Sequence, residues 1–435
     1  MTKLHERLTV GGLALVALIF RLWHLQYPKG FVFDEVYYAQ NANSLMQHGV
    51  EIDPKTHLAQ FIVHPPIGKW MIAAGIKLLG YHEFGWRLAA ALIGTASIVL
   101  VFYVAKELFH NYFLSLTAAI LMSGDGLNLV MSRTALLDIF LMFFILLSFY
   151  FLLRGAHTLV GISLGLAAAT KWNGIYYIAA YLLYVFYVDY KNNQIKERAP
   201  LRFAQYALLP AFVYIASWVG WFSHSSGYDR NWAKTHSGGF FDFIPGAIRS
   251  WWHYHSEILY FHTHLVTPHG YSANPWSWLV MGRPTSFFYQ TPLGCGAKAC
   301  SQEVLALGTP LLWWAGVIAI AITFGYWITR RQRASALLLL GLAAGYLPWF
   351  AWQKRTVFTF YAIAFEPFII LIIVFVLSKF LEPDGDGHIP KVRTYATYGF
   401  IALIVLNFLY FFPLFTGGII SYSHWSGMMW LPSWI

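Results

Sequence analysis

The sequence predicts an all-α polytopic membrane protein, and three observations support this fold class. Hydrophobic residues make up 58% of the 435 residues and charged residues only 11%, whereas a soluble domain usually carries about 25% charged residues. Long apolar stretches such as LTVGGLALVALIF (8–20) and FIALIVLNFLYFFPLF (400–415) provide most of the roughly 20 residues that cross a hydrocarbon core. The basic residues are concentrated in a few short loops, as is typical of a membrane protein with a fixed orientation.

About eleven transmembrane helices follow one another along a single integral-membrane domain, residues 1–435. The first segment continues into RLWHLQ (21–26) without a small-residue cleavage site, so we interpret it as a span and not as a cleavable signal peptide. The predicted spans begin near residues 8, 85, 113, 134, 157, 174, 203, 309, 334, 356 and 395.

Two long loops, residues 27–84 and 222–308, interrupt this series of spans. The basic loops KNNQIKERAPLR (191–202), TRRQR (329–333) and the segment ending in PKVR (390–393) fall on one side of the membrane, which is therefore cytoplasmic. Both long loops then lie on the outer side. The formal charge of +10 is explained by this arrangement, and a nucleic-acid-binding protein, which needs a folded basic face, is excluded.

The first long loop carries two adjacent carboxylates, Asp34 and Glu35, within FVFDEVYYA (31–39). Other ionisable residues near the outer face come from distant parts of the chain, so we expect a shared polar cleft rather than separate interfacial anchors. A carboxylate there can accept a proton from a hydroxyl group, and nearby arginines can hold a phosphate. Glycosyl transfer from a polyprenyl-phosphate carrier, a lipid-phosphate phosphatase and a flippase all remain open on composition alone.

Several short sequence motifs reduce the number of candidate functions. FDEVYYA (33–39) and HPPIGKW (64–70) are followed by further motifs in a fixed order, and together these motifs resemble the protein O-mannosyltransferase family of C-type glycosyltransferases. CGAKACSQEVLALGTP (295–310) is most similar to the actinobacterial branch. The further motifs are GWRLAAALIG (85–94), SRTALLDIF (132–140), TKWNGIYY (170–177), PWSWLVMGRP (275–284), LGTPLLWW (307–314) and RTVFTFYAIAFEPF (355–368).

The resemblance implies a C-type glycosyltransferase fold in the cell membrane, with its active site on the extracytoplasmic side. It implies transfer of mannose from polyprenyl-phosphate-mannose to Ser or Thr of secreted proteins by an inverting single displacement, without a cofactor. Residues 222–308 are too few to contain the carbohydrate-binding-like module of eukaryotic members. Acceptor proteins, oligomeric state and association with the translocon stay open.

The acid pair is predicted to be catalytic. We expect Asp34 to act as the general base, although a carboxylate that caps the helix beginning at VYYAQNANSL (36–45) is the alternative. Glu35 is expected to position the acceptor or an arginine, and which of the two acids is the base stays open. Arg21 is a supporting residue in the first span, and a structural ion pair with Glu35 is its alternative explanation.

Three cations are predicted at the donor phosphate: Arg87 in GWRLAA, which matches a functionally important arginine of the family, and Lys354 and Arg355 in WQKRTVF (352–358). For Lys354, an ordinary interfacial anchor is the favoured alternative.

His64, Arg133 and Asp138 are predicted as supporting residues. His64 precedes two prolines that fix the direction of its imidazole or simply form a turn. Arg133 and Asp138 are five residues apart and share no helical face well, so they are expected to pair with other spans.

The second long loop contains HYHSEILYFHTHLVTPHGYS (253–272), whose His-x-His pairs would suit zinc on a strand. Because the stretch is more typical of a helix, where residues i and i+2 diverge, we predict no metal site. Cys295 and Cys300 lie on the oxidising side and are predicted to form a small disulfide clip.

Two other functions compete with this interpretation. A related C-type transferase that glycosylates a lipid or a cell-wall glycan would share the acid pair and the cleft. A transporter or flippase is disfavoured because both long loops and most ionisable residues gather on one face, whereas transporters commonly show related halves.

Overall fold

The computed structural model describes residues 3–435 and is mostly helical. The helices of the first half are α1 (Lys3–Leu22), α2 (Glu35–His48), α3 (Ile67–Leu79), α4 (Glu83–Phe109), α5 (Tyr112–Ser123), α6 (Gly126–Met131), α7 (Asp138–Leu153), α8 (His157–Ala168), α9 (Gly174–Lys191), α10 (Ile195–Phe203), α11 (Leu209–Ser217) and α12 (Val219–Ser223). The remaining elements are α13 (Trp232–Thr235), α14 (Gly246–His264), β1 (Thr285–Gln290), β2 (Cys300–Ala306), α15 (Pro310–Arg330), α16 (Arg333–Tyr346), α17 (Glu366–Phe380), α18 (Lys391–Thr416), β3 (Ile419–Ser421) and α19 (Tyr422–Met428).

The helices confirm the predicted polytopic fold class. Within residues 3–435, four helical segments are long and apolar enough to cross a membrane: α4, α15, α16 with its 3₁₀ extension to Trp352, and α18. Helices α5, α7 and α8 are apolar but shorter. Most of the predicted span starts lie close to a helix start, whereas the start predicted near residue 203 falls at the end of α10 and the one near residue 356 precedes α17, which begins at Glu366. The chain is a multi-pass membrane protein.

The start of the span predicted near residue 134 differs for a physical reason. The span predicted to begin near residue 134 begins as a helix only at Asp138. The backbone N–H of Ala135 donates to Glu35 Oε1 (2.9 Å) instead of entering a helix. Residues 132–137 thus contact the first long loop through Glu35.

Helices α5 and α6 are separated at Gly124–Asp125. Asp125 accepts from the backbone N–H of Asn128 and so caps α6. Its Oδ1 also accepts from Thr309 N (2.8 Å) and Trp313 Nε1 (2.9 Å) at the start of α15. The break is therefore held by buried hydrogen bonds, which satisfy the free backbone groups in apolar surroundings.

The first long loop folds into α2 and α3, and α3 packs against both α2 and α4. The stretch KWMIAAGIKLLG (69–80) lies mostly in α3. Gly75 allows the close packing of α3 on α4, because a Cβ there would come within 2.4 Å of the Gly85 carbonyl oxygen. These two short helices bring Asp34 to one end of the helical bundle.

The second long loop contains α13, α14 and the strands β1 and β2, and β3 from the C-terminal part of the chain completes an antiparallel sheet of order β1-β2-β3. Thr285 lies opposite Ala306, and Cys300 lies opposite Ser421 near the C-terminus. The sequence did not predict these strands. Cys295 and Cys300 form the predicted disulfide, and His253 and His255 lie on α14, so the helical interpretation of that stretch is confirmed.

The apolar core surrounds α7 and α17, which are buried along most of their lengths. Large apolar side chains on α1, α15 and α18 are exposed, among them Leu15, Ile318 and Leu406. In a bilayer such side chains face lipid, which is as apolar as the core.

Candidate active site

Asp34 lies at the N-terminus of α2 and faces a cavity. Its backbone carbonyl accepts from the N–H groups of Tyr37 and Tyr38, but its side chain makes no capping hydrogen bond. The alternative that Asp34 is a side-chain helix cap is therefore wrong. The carboxylate instead lines a cavity of about 410 Å³, called here the Asp34 cavity, together with Tyr38, His64, Arg355 and Tyr361 among others.

The surroundings of Asp34 change its acidity. Burial raises the pKa of Asp34 to about 6, and Asp138 adds to this, while the Lys171 cation acts in the opposite direction. A carboxyl group with a pKa of about 6 is mostly ionised at neutral pH and is a better base than an ordinary aspartate.

Glu35 lies in different surroundings from Asp34, because its carboxylate faces protein groups and not a cavity. It is fully buried and forms a two-pronged ion pair with Arg87, in which Nε donates to Oε1 and Nη2 donates to Oε2, both at 2.8 Å. The N–H groups of Val32 and Ala135 also donate to its carboxylate. All of the hydrogen bonds that this carboxylate accepts thus come from buried protein groups.

The guanidinium of Arg87 is enclosed in the same way. Besides Glu35, it donates to the carbonyl oxygens of Leu25, Pro28 and Gly30 at 2.9–3.1 Å. Arg87 is 0% exposed. These contacts join the first long loop to α4, and the predicted role of Arg87 at the donor phosphate stays a prediction.

Arg21 does not pair with Glu35, so that predicted ion pair is wrong. The partner of Glu35 is Arg87, whereas Arg21 Nη2 donates to Asn128 Oδ1 (2.6 Å). Asn128 in turn donates to Glu366 Oε2 (3.0 Å). Gly94 leaves room for this network, since a Cβ there would lie 2.9 Å from Arg21 Nε.

Arg133 binds the end of the first helix. Its guanidinium donates to the carbonyl oxygens of Phe20, Arg21, Trp23 and His24 at 2.6–3.2 Å. A cation at this position satisfies the free carbonyls at a helix C-terminus and complements the helix dipole. Arg133 and Asp138 therefore pair with different elements, as expected.

Asp138 pairs with Lys171, a residue for which we predicted no role from the sequence. Lys171 Nζ donates to both carboxylate oxygens at 2.9 and 3.1 Å and lies 4.2 Å from the centroid of the Tyr361 ring. In the sequence, Lys171 is recognisable only as a charged residue between two predicted spans, within the motif TKWNGIYY. Only the fold reveals its carboxylate partner.

His64 and Arg355 meet at His262, a second residue without a predicted role. His262 Nε2 donates to the Val63 carbonyl (2.8 Å), and its Nδ1 accepts from Arg355 Nη2 (3.2 Å). Burial lowers the pKa of His262 to about 4 and holds the pKa of His64 well below its ordinary value. Both imidazoles are neutral, so the positive charge at this place belongs to Arg355.

A second cavity, called here the Lys171 cavity, has a volume of about 100 Å³ and shares His64, His262 and Arg355 with the Asp34 cavity. Three buried polar atoms in its wall have no hydrogen-bond partner within residues 3–435: His64 Nδ1, Asn173 Nδ2 and Arg355 Nε. Buried polar atoms are nearly always paired, so these atoms are available to a ligand in the cavity. Lys354 is exposed, and its predicted phosphate contact stays a prediction.

An apolar groove of about 310 Å³ begins at Trp172, which also lines the Lys171 cavity. It runs between α9, α11 and α14, and Tyr214 fixes its wall by bonding to Trp172 Nε1 (2.9 Å) and His255 Nε2 (2.8 Å). A cationic cavity beside an apolar groove, with Trp172 in the lining of both, suits a phosphate carried on a lipid chain.

Family models match most of the chain. Residues 12–216 match the model described as dolichyl-phosphate-mannose-protein mannosyltransferase, and residues 247–434 match the C-terminal four-span region of protein O-mannosyltransferase. The chain is 32% identical to the polyprenol-phosphate-mannose–protein mannosyltransferase of Mycobacterium tuberculosis, over 100% of this chain and 93% of that protein. For the protein of the same name from Corynebacterium glutamicum, identity is 32% over 93% and 88% of the two chains.

Solved structures share the fold. The S. cerevisiae protein O-mannosyltransferase Pmt1-Pmt2 complex, bound to the sugar donor, aligns with a TM-score of 0.81 at 16% identity, over 100% of this chain and 93% of that chain. ArnT from Cupriavidus metallidurans, bound to undecaprenyl phosphate, aligns with a TM-score of 0.58 at 14% identity, over 96% and 76% of the two chains.

Proposed function

This chain belongs to the protein O-mannosyltransferase family, and on that premise we propose that it transfers mannose from polyprenyl-phosphate-mannose to Ser or Thr hydroxyl groups of secreted proteins. The observation that carries the proposal is the common wall of the two cavities. His64, His262 and Arg355 separate a carboxylate from a cationic cavity, which is the arrangement needed between an acceptor and a donor phosphate.

The donor phosphate binds in the Lys171 cavity. Arg355 and Asn173 supply N–H donors that lack protein partners, and Lys171 supplies a second positive charge. Charge-assisted hydrogen bonds to a phosphate are strong when they replace unpaired buried donors. The polyprenyl chain lies along the apolar groove beside Trp172 and reaches the bilayer from there.

Asp34 is the general base. Its carboxylate removes the proton of the acceptor hydroxyl while that oxygen attacks the anomeric carbon. The bond between the anomeric carbon and the phosphate oxygen breaks, and its electron pair leaves with the lipid phosphate. Because phosphate is already a good leaving group, one base suffices for inversion, whereas glycoside hydrolysis requires two carboxylates.

Glu35, Arg133 and Arg21 line neither cavity and hold the site in place, and for Arg87 we replace the predicted phosphate contact with the same supporting role. Glu35 and Arg87 fix the loop on which Asp34 lies, and Arg133 fixes the end of α1 that precedes this loop. Asp138 keeps Lys171 directed at the cavity. Such support is needed because proton transfer and attack depend on placement within fractions of an ångström.

We place the site on the extracytoplasmic side, because the basic loops between spans define the opposite side as cytoplasmic. Acceptors are secreted chains that reach this face, and association with the translocon would suit substrates that are still unfolded. A lipid or cell-wall glycan acceptor is the competing assignment, since it would use the same donor half of the site.

The test uses purified protein in lipid, radiolabelled polyprenyl-phosphate-mannose and a Ser/Thr-rich peptide. Wild type is expected to transfer mannose, and Asp34→Asn to bind the donor but to lose about 10²–10⁴-fold in transfer rate. Normal transfer by Asp34→Asn would exclude Asp34 as the base. No transfer to any peptide by wild type would favour a lipid or glycan acceptor.

A further inference from the structure

We propose that Asp229, His253 and Glu257 form a binding site for a divalent metal ion of the zinc type. The three residues lie in the second long loop, outside the Asp34 and Lys171 cavities. This proposal replaces the prediction of no metal site in the stretch 253–272, because Asp229, from outside that stretch, completes a ligand set with His253 and Glu257. One potential ligand atom from each lies within 4.8 Å of the other two. One imidazole and two carboxylates are a ligand set that zinc accepts in proteins.

The spacing of these atoms fits tetrahedral coordination. Two ligands that are each about 2.0–2.1 Å from zinc lie about 3.4 Å apart at the tetrahedral angle. His253 Nε2 is 3.4 Å from Asp229 Oδ2 and 3.6 Å from Glu257 Oε1. An ion can therefore be placed between the three atoms with only small side-chain movements.

The ligands are positioned by different parts of the loop. His253 and Glu257 are one helical turn apart on α14 and share a face, while Asp229 comes from the segment before α13. The indole of Trp232 stacks on the His253 imidazole, with 4.2 Å between ring centroids and 9° between planes. This stacking fixes the ring with Nε2 toward both carboxylates.

Glu257 supplies an independent observation. Its second carboxylate oxygen, Oε2, is buried and makes no hydrogen bond of ordinary geometry, although the side chain is 35% exposed and the Tyr228 hydroxyl interacts with this carboxylate. A buried carboxylate oxygen normally accepts a hydrogen bond. A metal ion beside this carboxylate would compensate the charge that this oxygen carries.

Nearby cations are engaged elsewhere. Arg249, one turn before His253 on α14, pairs with Asp242, and Arg230 donates to the carbonyl oxygens of Trp221 and Phe222. The cluster is thus electronegative unless His253 is protonated. An ion pair between a protonated His253 and the two carboxylates is the competing explanation of the same geometry.

The ion would join the segment before α13 to α14. The same helix carries His262, which accepts the hydrogen bond from Arg355. We assign the metal a structural role in holding α14, with no part in the chemistry at Asp34.

The experiment measures zinc binding to the full chain, purified in lipid without a histidine tag. Binding is followed by competition with a chelating indicator and by the shift of the thermal unfolding temperature. Wild type is expected to bind one Zn²⁺ tightly and to unfold at a higher temperature with Zn²⁺. Mg²⁺ in excess is expected not to displace it, because Mg²⁺ prefers an all-oxygen octahedral site.

His253→Ala and Glu257→Gln are expected to weaken zinc binding by more than about tenfold. His236→Ala is the matched control, since His236 stacks on Trp232 as well, at 4.3 Å between centroids, but lies outside the cluster. Glu257→Gln keeps the size of the side chain and serves if His253→Ala fails to fold. Equal zinc binding by wild type and both ligand variants, or no tight binding by wild type, would overturn the proposal in favour of the ion pair.

Discussion

Asp34 and Glu35 are neighbours in sequence, but their carboxylates lie in different surroundings. Glu35 accepts hydrogen bonds from Arg87 and from two backbone N–H groups in the interior, whereas Asp34 faces a cavity and has a raised pKa of about 6. Because successive side chains on a helix diverge by about 100°, one acid can support the loop while the other is left for chemistry.

The raised pKa of Asp34 predicts the pH dependence of transfer. The base must be ionised, so kcat/KM should be constant above about pH 7 and fall by roughly tenfold per unit below pH 6. His64 and His262, whose pKa values are lowered, stay neutral above pH 6 and add no step there. Rates measured between pH 5 and 8 at low donor concentration would check this, and a profile without a step near pH 6 would contradict it.

The position of Arg355 in the Lys171 cavity predicts that this residue contributes to the affinity for the donor. Arg355→Ala should raise the KM for polyprenyl-phosphate-mannose by about tenfold or more, because it removes a charge-assisted hydrogen bond worth about 1.5–3 kcal/mol. Arg355→Lys keeps the charge but not the planar fork, so it should restore affinity only in part. Lys234→Ala, at an exposed cation of the same loop as α14, is the control. An unchanged donor KM in Arg355→Ala would place the phosphate elsewhere.

At the scale of elements, one buried ion pair joins the first long loop to α4 and to the start of α7. Arg87 binds Glu35 and three carbonyl groups of residues 25–30, and Glu35 binds Ala135 just before α7. Breaking a buried pair leaves an uncompensated charge, which costs more than the pair contributes.

Arg87→Met and Glu35→Gln should therefore each lower the free energy of unfolding by about 3–5 kcal/mol. The double variant should lose less than the sum, because neither charge is then left alone. Thermal unfolding in detergent, together with donor binding, checks this. If Arg87 instead holds the donor phosphate, Arg87→Met would lose donor affinity at unchanged thermal stability.

At the scale of the whole molecule, the two long loops contact each other, through His262 and the Val63 carbonyl and through Tyr254 and the backbone of Ile62. The exposed apolar side chains of α1, α15 and α18 require a bilayer, and the basic loops give it an orientation. With the proposed orientation, we expect both cavities to open toward the outer face.

This orientation predicts which residues react from outside the cell. Lys55→Cys, in an exposed turn of the first long loop, should be labelled in intact cells by a membrane-impermeant maleimide. Gly385→Cys, in the loop between α17 and α18, should be labelled only after permeabilisation. The native cysteines are joined in a disulfide and give no background. The reverse pattern would invert the topology and exclude an extracytoplasmic site.

The sequence by itself determined the membrane class and most of the span positions, since these follow from local hydropathy. Sequence motifs identified Asp34, Glu35, Arg87 and Arg355 as candidate site residues. Only the tertiary structure decided the partners: Glu35 with Arg87 instead of Arg21, and Asp138 with Lys171. It also revealed His262 as the residue that orients Arg355 and added the small sheet of the outer loop. Ion pairs and cavity walls join residues tens to hundreds of positions apart, and hydrophobic periodicity carries no information about such contacts.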